Sequence, residues 1–214
     1  MNLNSKRLVL AVVSVVGVLG SSLAARAEDA RAKTAKAKTA DESQAAEPKL
    51  AIGDQAPKFV IKDADGKEID LGKLTTKGPV LVRLTCGCIG CDKELAYFQE
   101  LHKAYGEKGL TSLAVFKEPD EKVATYVKQK KLNMLYAVDP KGESWNTFKT
   151  KTMPTNFLID KGGKIVSIAE GCDPSGLLAN KLANKVSALV GSEKVDVQKE
   201  VAKQPKEPPP PSGN

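Results

Sequence analysis

The chain has 214 residues, 41% apolar and 28% charged, a balance that excludes both a membrane bundle and a wholly disordered chain. The formal net charge is +7, but it is scattered, with 22 Lys/Arg against 17 Asp/Glu between residues 49 and 192. No basic stripe and no interleaved aromatics accompany it, which argues against nucleic acid as a partner.

Residues 1–27 have the layout of a signal peptide. Lys6 and Arg7 precede the mostly apolar stretch Leu8–Gly20, and Ala25-Arg26-Ala27 is an A-x-A cleavage pattern. As a helix, the 13 residues Leu8–Gly20 reach about 20 Å, short of a bilayer core of about 30 Å. Cleavage after Ala27 is expected, with delivery to the periplasm or an equivalent envelope space, where disulfides persist. Left uncleaved, the segment would act as an N-terminal membrane anchor. Residues 28–48 include Ala35-Lys36-Ala37-Lys38-Thr39-Ala40, with Ala as the apolar type among many charges; they predict a disordered linker. Residues 49–192 make one domain of ordinary size.

Within that domain, Phe59–Lys62 and Glu68–Leu71 flank Asp63-Ala64-Asp65-Gly66-Lys67, a hairpin signal. Pro79–Thr85 is a β-branched run that predicts a buried strand, and Ile89–Tyr105 has helical spacing at Leu95, Phe98, Leu101 and His102. Leu110–Phe116 predicts a strand, Glu121–Lys131 a charged amphipathic helix and Leu135–Val138 a short strand before a turn at Asp139-Pro140-Lys141-Gly142. Trp145 and Phe148 fall on a short helical stretch and are expected in the core or its rim. Asn156–Asp160 and Lys164–Glu170 form a hairpin around Lys161-Gly162-Gly163, and Leu177–Val190 closes the domain as a helix. Residues 193–214 end in four prolines, Pro208–Pro211, and predict a disordered Pro-rich tail. The order of elements predicts an α/β domain with a mixed sheet and helices on both faces.

The chemistry concentrates in Cys86-Gly87-Cys88-Ile89-Gly90-Cys91, where a strand ends and the long helix begins. A thiol at a helix start meets unpaired backbone N–H groups and the positive end of the helix dipole, and both favour the attacking thiolate. A second cysteine one turn on can close an exchangeable disulfide with it.

This stretch, together with Met153-Pro154-Thr155-Asn156-Phe157-Leu158-Ile159-Asp160, resembles the thioredoxin superfamily, more narrowly its exported TlpA-like and AhpC/TSA redoxin branch. Gly53-Asp54-Gln55-Ala56-Pro57-Lys58-Phe59 is similar to the entry of these domains, Asp63–Leu71 to their hairpin, and Asp160–Val166 to their strand-turn-strand ending. The resemblance implies a thioredoxin-like mixed sheet flanked by helices, with an N-terminal β-hairpin extension. It also implies Cys88 as nucleophile, Cys91 as resolving thiol and Pro154 as a cis residue facing the pair. The sequence departs from the pattern at Gly87, where an aromatic is usual, and at Val82, where many thioredoxins bury an acid. Arg83 replaces an apolar residue and would either lower a thiol pKa or reach solvent.

Cys86 and Cys172 are additional thiols that either pair or relay, or stand as separate free thiols. The inferred strand order puts one strand between them, so Cys172 is expected near the site without being bonded to Cys86. The implied activity is that of an exported thiol-disulfide oxidoreductase without a cofactor or metal. Its partners would be disulfide-bearing or dithiol envelope proteins and an upstream thiol reductase. Two alternatives remain open. One is a peroxiredoxin-like antioxidant thiol peroxidase using Cys88, suggested by the Thr85-x-x-Cys88 spacing. The other is a soft-metal-binding thiol module, since thiolates suit Cu(I) and Zn(II). The single histidine, His102, is expected to be a surface or partly packed side chain.

Overall fold

A computed structural model describes residues 48–204 of the protein. The expected signal peptide, the linker up to residue 47 and the four prolines of the tail lie outside the described residues. The first elements are a short hairpin, β1 (Val60–Lys62) and β2 (Glu68–Asp70), followed by α1 (Leu71–Lys77). Then come β3 (Val80–Thr85), α2 (Ile89–Tyr105), β4 (Thr111–Phe116), α3 (Asp120–Lys130), β5 (Leu135–Val138) and α4 (Glu143–Thr147). The described residues close with β6 (Thr155–Ile159), β7 (Ile165–Glu170), α5 (Leu177–Leu189) and α6 (Val197–Ala202).

β3 to β7 form a five-stranded sheet in the order β5-β4-β3-β6-β7. β3, β4 and β5 run parallel, whereas β6 and β7 are antiparallel to their neighbours. β3 is central and buried at all six positions, which is why it reads as a continuous apolar run. Its alternation divides the core in two. Leu81 joins Phe98, Leu101 and Tyr105 of α2 and Leu182 and Val186 of α5 on one face. Val80, Val82 and Leu84 join Phe59, Leu71, Trp145, Phe148 and Phe157 on the other. Arg83 and Thr85 share Leu81's side, the one α2 covers.

The N-terminal segment straps the second face. Gly53 N donates to Ile165 O (2.8 Å) and Ile165 N to Asp54 O (2.9 Å) at the β7 edge. Phe59 is buried midway, edge-on to Phe148 at 5.2 Å between ring centroids. Asp63 then bridges Ala137 on the opposite edge strand, β5.

Two elements depart from the sequence expectation. α1 follows β2 directly, because the Asp70 side chain accepts from Lys73 N and caps a helix whose Gly and Thr content hides it. α6 lies in the stretch assigned by composition to the tail. Val197 is 0% exposed, and its N–H donates to Asn180 Oδ1 at 3.1 Å. Tyr105 Oη further accepts from Val195 N at 2.9 Å, so the folded chain runs past residue 192. None of the described helices is long and apolar enough to cross a membrane.

Candidate active site

β3 delivers Cys86 to the end of the sheet, and Cys88 is the N-cap of α2 with extended backbone (φ −81°, ψ 158°) and no side-chain capping bond. Cys91 lies in the first turn of α2, facing inward, and is 3% exposed. The three sulfurs lie within 4.8 Å of one another. Cys86 and Cys88 are joined as a disulfide, with Cα atoms 5.3 Å apart. Cys91 is a free thiol whose Sγ lies 3.2 Å from Cys86 Sγ. The expected Cys88–Cys91 pair is thus joined by a third sulfur, Cys86, which lies against both. Of the three, Cys88 is the exposed one, and beside it Ile89 is 79% exposed.

The antiparallel register brings the other candidates to the same end of the sheet. Leu84 pairs with Thr155, so Pro154 falls beside the end of β3, and the Met153–Pro154 bond is cis. Gly171 N donates to Pro154 O (2.8 Å), which leads Cys172 in from the end of β7. Cys172 is exposed and its thiol donates to the Gly90 carbonyl at 2.6 Å, not bonded to Cys86, with β6 lying between β3 and β7. Partial desolvation, followed by the charges of Glu94 and Cys91, pushes the Cys172 thiol above its ordinary pKa.

Arg83 does not reach solvent. Its guanidinium is buried, with Nη2 2.5 Å from Glu94 Oε1 in an ion pair outside hydrogen-bond geometry. Nη1 donates to Asn156 Oδ1 (3.0 Å), Nη2 to the Cys91 carbonyl (3.5 Å), and the guanidinium carbon lies 4.2 Å over the Phe98 ring. Glu94 Oε2 accepts from Asp173 N at 2.8 Å. This network ties the first turn of α2 to β3, β6 and the loop carrying Cys172. Glu94 is the residue of this cluster that sequence reading missed. The available signal was its place at i, i+4, i+7 and i+11 with Phe98, Leu101 and Tyr105, a charge in an apolar stripe. A buried acid is therefore present near the pair, although Val82 occupies the usual position.

Thr85 is also buried, and its hydroxyl donates to the Cys86 carbonyl at 3.4 Å. Gly87 N donates to Glu118 Oε1 (2.8 Å), and the Tyr126 ring lies where a Cβ on Gly87 would meet it at 3.4 Å. Tyr126 of α3 fills space that a larger residue at 87 would need. Its hydroxyl donates to Asp92 Oδ1 at 2.9 Å, and burial, reinforced by that acceptor, holds the phenol well above its usual pKa. His102 is half-buried on α2, with its pKa lowered by desolvation. Trp145 and Phe148 are core residues.

Comparison with known proteins agrees with this architecture. The AhpC/TSA family model matches residues 52–168. The thiol-disulfide oxidoreductase ResA of Bacillus thuringiensis subsp. konkukian is 40% identical over 126 residues, 58% of this chain and 73% of the relative. The ResA of Bacillus subtilis is 30% identical over 128 residues, 59% of this chain and 72% of that one. Among solved structures, a DsbE-type thiol:disulfide interchange protein from Chlorobium tepidum superposes with a TM-score of 0.61 at 26% identity, covering 66% of this chain and 99% of that one. A peroxidoxin, BcpB of Mycobacterium tuberculosis, shares the fold at 22% identity and a TM-score of 0.54, covering 66% of this chain and 97% of that one. The resemblance read from the cysteine stretch, the cis-proline region and the hairpins thus holds across the sheet, and the chain belongs to the AhpC/TSA family, as a thiol-disulfide oxidoreductase of thioredoxin-like fold.

Proposed function

We propose that the protein is exported and exchanges disulfides with envelope proteins, with Cys88 as the attacking sulfur and Cys91 as the resolving one. The observation that carries this reading is the depth order of the thiols: Cys88 is exposed at the start of α2, and Cys91 is buried behind it. A partner sulfur meets Cys88 first.

In the reduced site, the Cys88 thiolate attacks a partner disulfide. A Cys88–partner bond forms, the partner's own S–S bond breaks, and the departing partner thiolate takes a proton. Attack by Cys91 on Cys88 Sγ then forms the Cys88–Cys91 bond and expels the second partner thiolate. The proximity of Cys86 adds a further step. Cys91 attacking Cys86 in the disulfide form would make a Cys86–Cys91 bond and release Cys88 as thiolate, with no net change in oxidation. The positive end of α2 favours that leaving group.

The peroxidase alternative is less supported. Its Thr and Arg would have to polarise a peroxide, yet the Thr85 hydroxyl is engaged by the Cys86 carbonyl and Arg83 by Glu94.

Trapping tests the reading. Because Cys86 also reaches Cys88, Cys91→Ala alone leaves a second resolving thiol. The double variant Cys86→Ala/Cys91→Ala should accumulate reductant-sensitive mixed disulfides in the envelope fraction, several-fold more than Cys91→Ala. Absence of any such adduct in the double variant refutes the assignment of Cys88.

A further inference from the structure

We propose that the reduced site binds one Cu(I) ion through Cys86, Cys88 and Cys91. Three sulfurs within 4.8 Å of one another are a pre-assembled ligand set, and among the described residues this is the one such group of three His, Cys, Asp or Glu side chains. Metal–thiolate bonds of about 2.3 Å place sulfurs around a shared ion roughly 4 Å apart, which this cluster meets with small side-chain rotations.

Ligand type and number select the ion. Thiolates are soft and suit Cu(I) and Zn(II) alike, but Zn(II) needs a fourth side chain or a water to complete its tetrahedron, whereas three thiolates satisfy Cu(I). Among the described residues no fourth His, Cys, Asp or Glu joins the cluster. The Cys172 thiol is turned to the Gly90 carbonyl. The chain's single histidine, His102, lies 11 residues beyond Cys91 on α2, about 16 Å along the helix. Three sulfurs without a fourth partner fit a trigonal Cu(I) centre. The α2 N-terminus faces the excess negative charge that such a centre carries.

Loading requires the Cys86–Cys88 disulfide to be opened first. A dithiol partner supplies two electrons and two protons and leaves as a disulfide, which is the exchange chemistry of the family. Cu(I) then displaces three thiol protons and undergoes no change of oxidation state. A loaded site has no free Cys88 and cannot exchange disulfides, so metal binding and exchange exclude one another.

The test uses the full chain, reduced and kept anaerobic, titrated with Cu(I) against bicinchoninate as competitor. One equivalent should be taken up, and X-ray absorption on that form should show three sulfur neighbours. Iodoacetamide followed by peptide mapping should label Cys172 and spare the other three. Cys86→Ser should weaken retention at least tenfold, and Cys172→Ser should leave it unchanged. Uptake well below one equivalent, two sulfur neighbours in the wild type, or equal loss in Cys172→Ser would each overturn the proposal. The sulfur count comes from the unaltered protein and stands even if Cys86→Ser folds poorly. Failure here leaves the trapping result on Cys88 untouched.

Discussion

Arg83 and Glu94 carry opposite charges in a space closed to water. Desolvating an ion costs several kcal/mol, and the pair offsets that cost through its own attraction and the hydrogen bonds around it. Here Asn156, the Cys91 carbonyl and Asp173 N supply the additional bonds. Removing one member leaves the other buried and unpaired. Glu94→Ala should therefore cost about 3–5 kcal/mol of stability in urea unfolding, and Arg83→Met/Glu94→Leu should cost far less than the sum of the two singles. Additive losses in that cycle would mean the two side chains do not act as a pair. At this scale the thiols and Pro154 were readable because their signals are local, a short spacing or a single motif. Arg83 was readable only as an anomaly. Its partner sits 11 positions away on another element, and only the packing of α2 on β3 decides which acid it meets.

Among the elements, those with strong periodicity and an apolar stripe matched expectation: α2 begins and ends where the spacing predicts, and β5 likewise. α6 did not, because a six-residue helix among Lys and Glu looks like solvated tail, and one buried valine is too little pattern to read. Its contribution is tertiary. Val197 fills the groove beside α2 and α5, and the Tyr105 hydroxyl is satisfied by the backbone leading into α6. Ending the chain at residue 192 exposes that groove and strands the hydroxyl. The truncated protein should be less stable by about 2–4 kcal/mol than one ending at residue 204, by urea midpoint. A midpoint shift between residue 204 and the full length, with none between 192 and 204, would assign the stabilisation to the Pro-rich end instead.

For the molecule as a whole, the strap from Gly53 to Asp63 touches two strands that lie on opposite edges of the sheet. The strand order was legible through the family resemblance, but the strap was not: its partners at Ala137 and Ile165 are long-range contacts that leave no local pattern. Their distance in sequence has a kinetic meaning. The strap is the first part of the domain to be synthesised, yet it has nothing to dock on until β5 and β7 have been made and laid beside their neighbours. Contacts of such separation carry a large loop-closure cost and belong late on a folding route. Phe59→Ala, which empties a buried position under the strap, should cost about 3–5 kcal/mol. Nearly all of that loss should appear as faster unfolding, with the refolding rate unchanged in stopped-flow chevrons. A matching slowdown in refolding would instead put the strap in the nucleus. With the expected result, the strap is the clasp that sets the lifetime of the folded state: the sheet and its cysteines assemble without it, and how long they stay assembled depends on when it lets go.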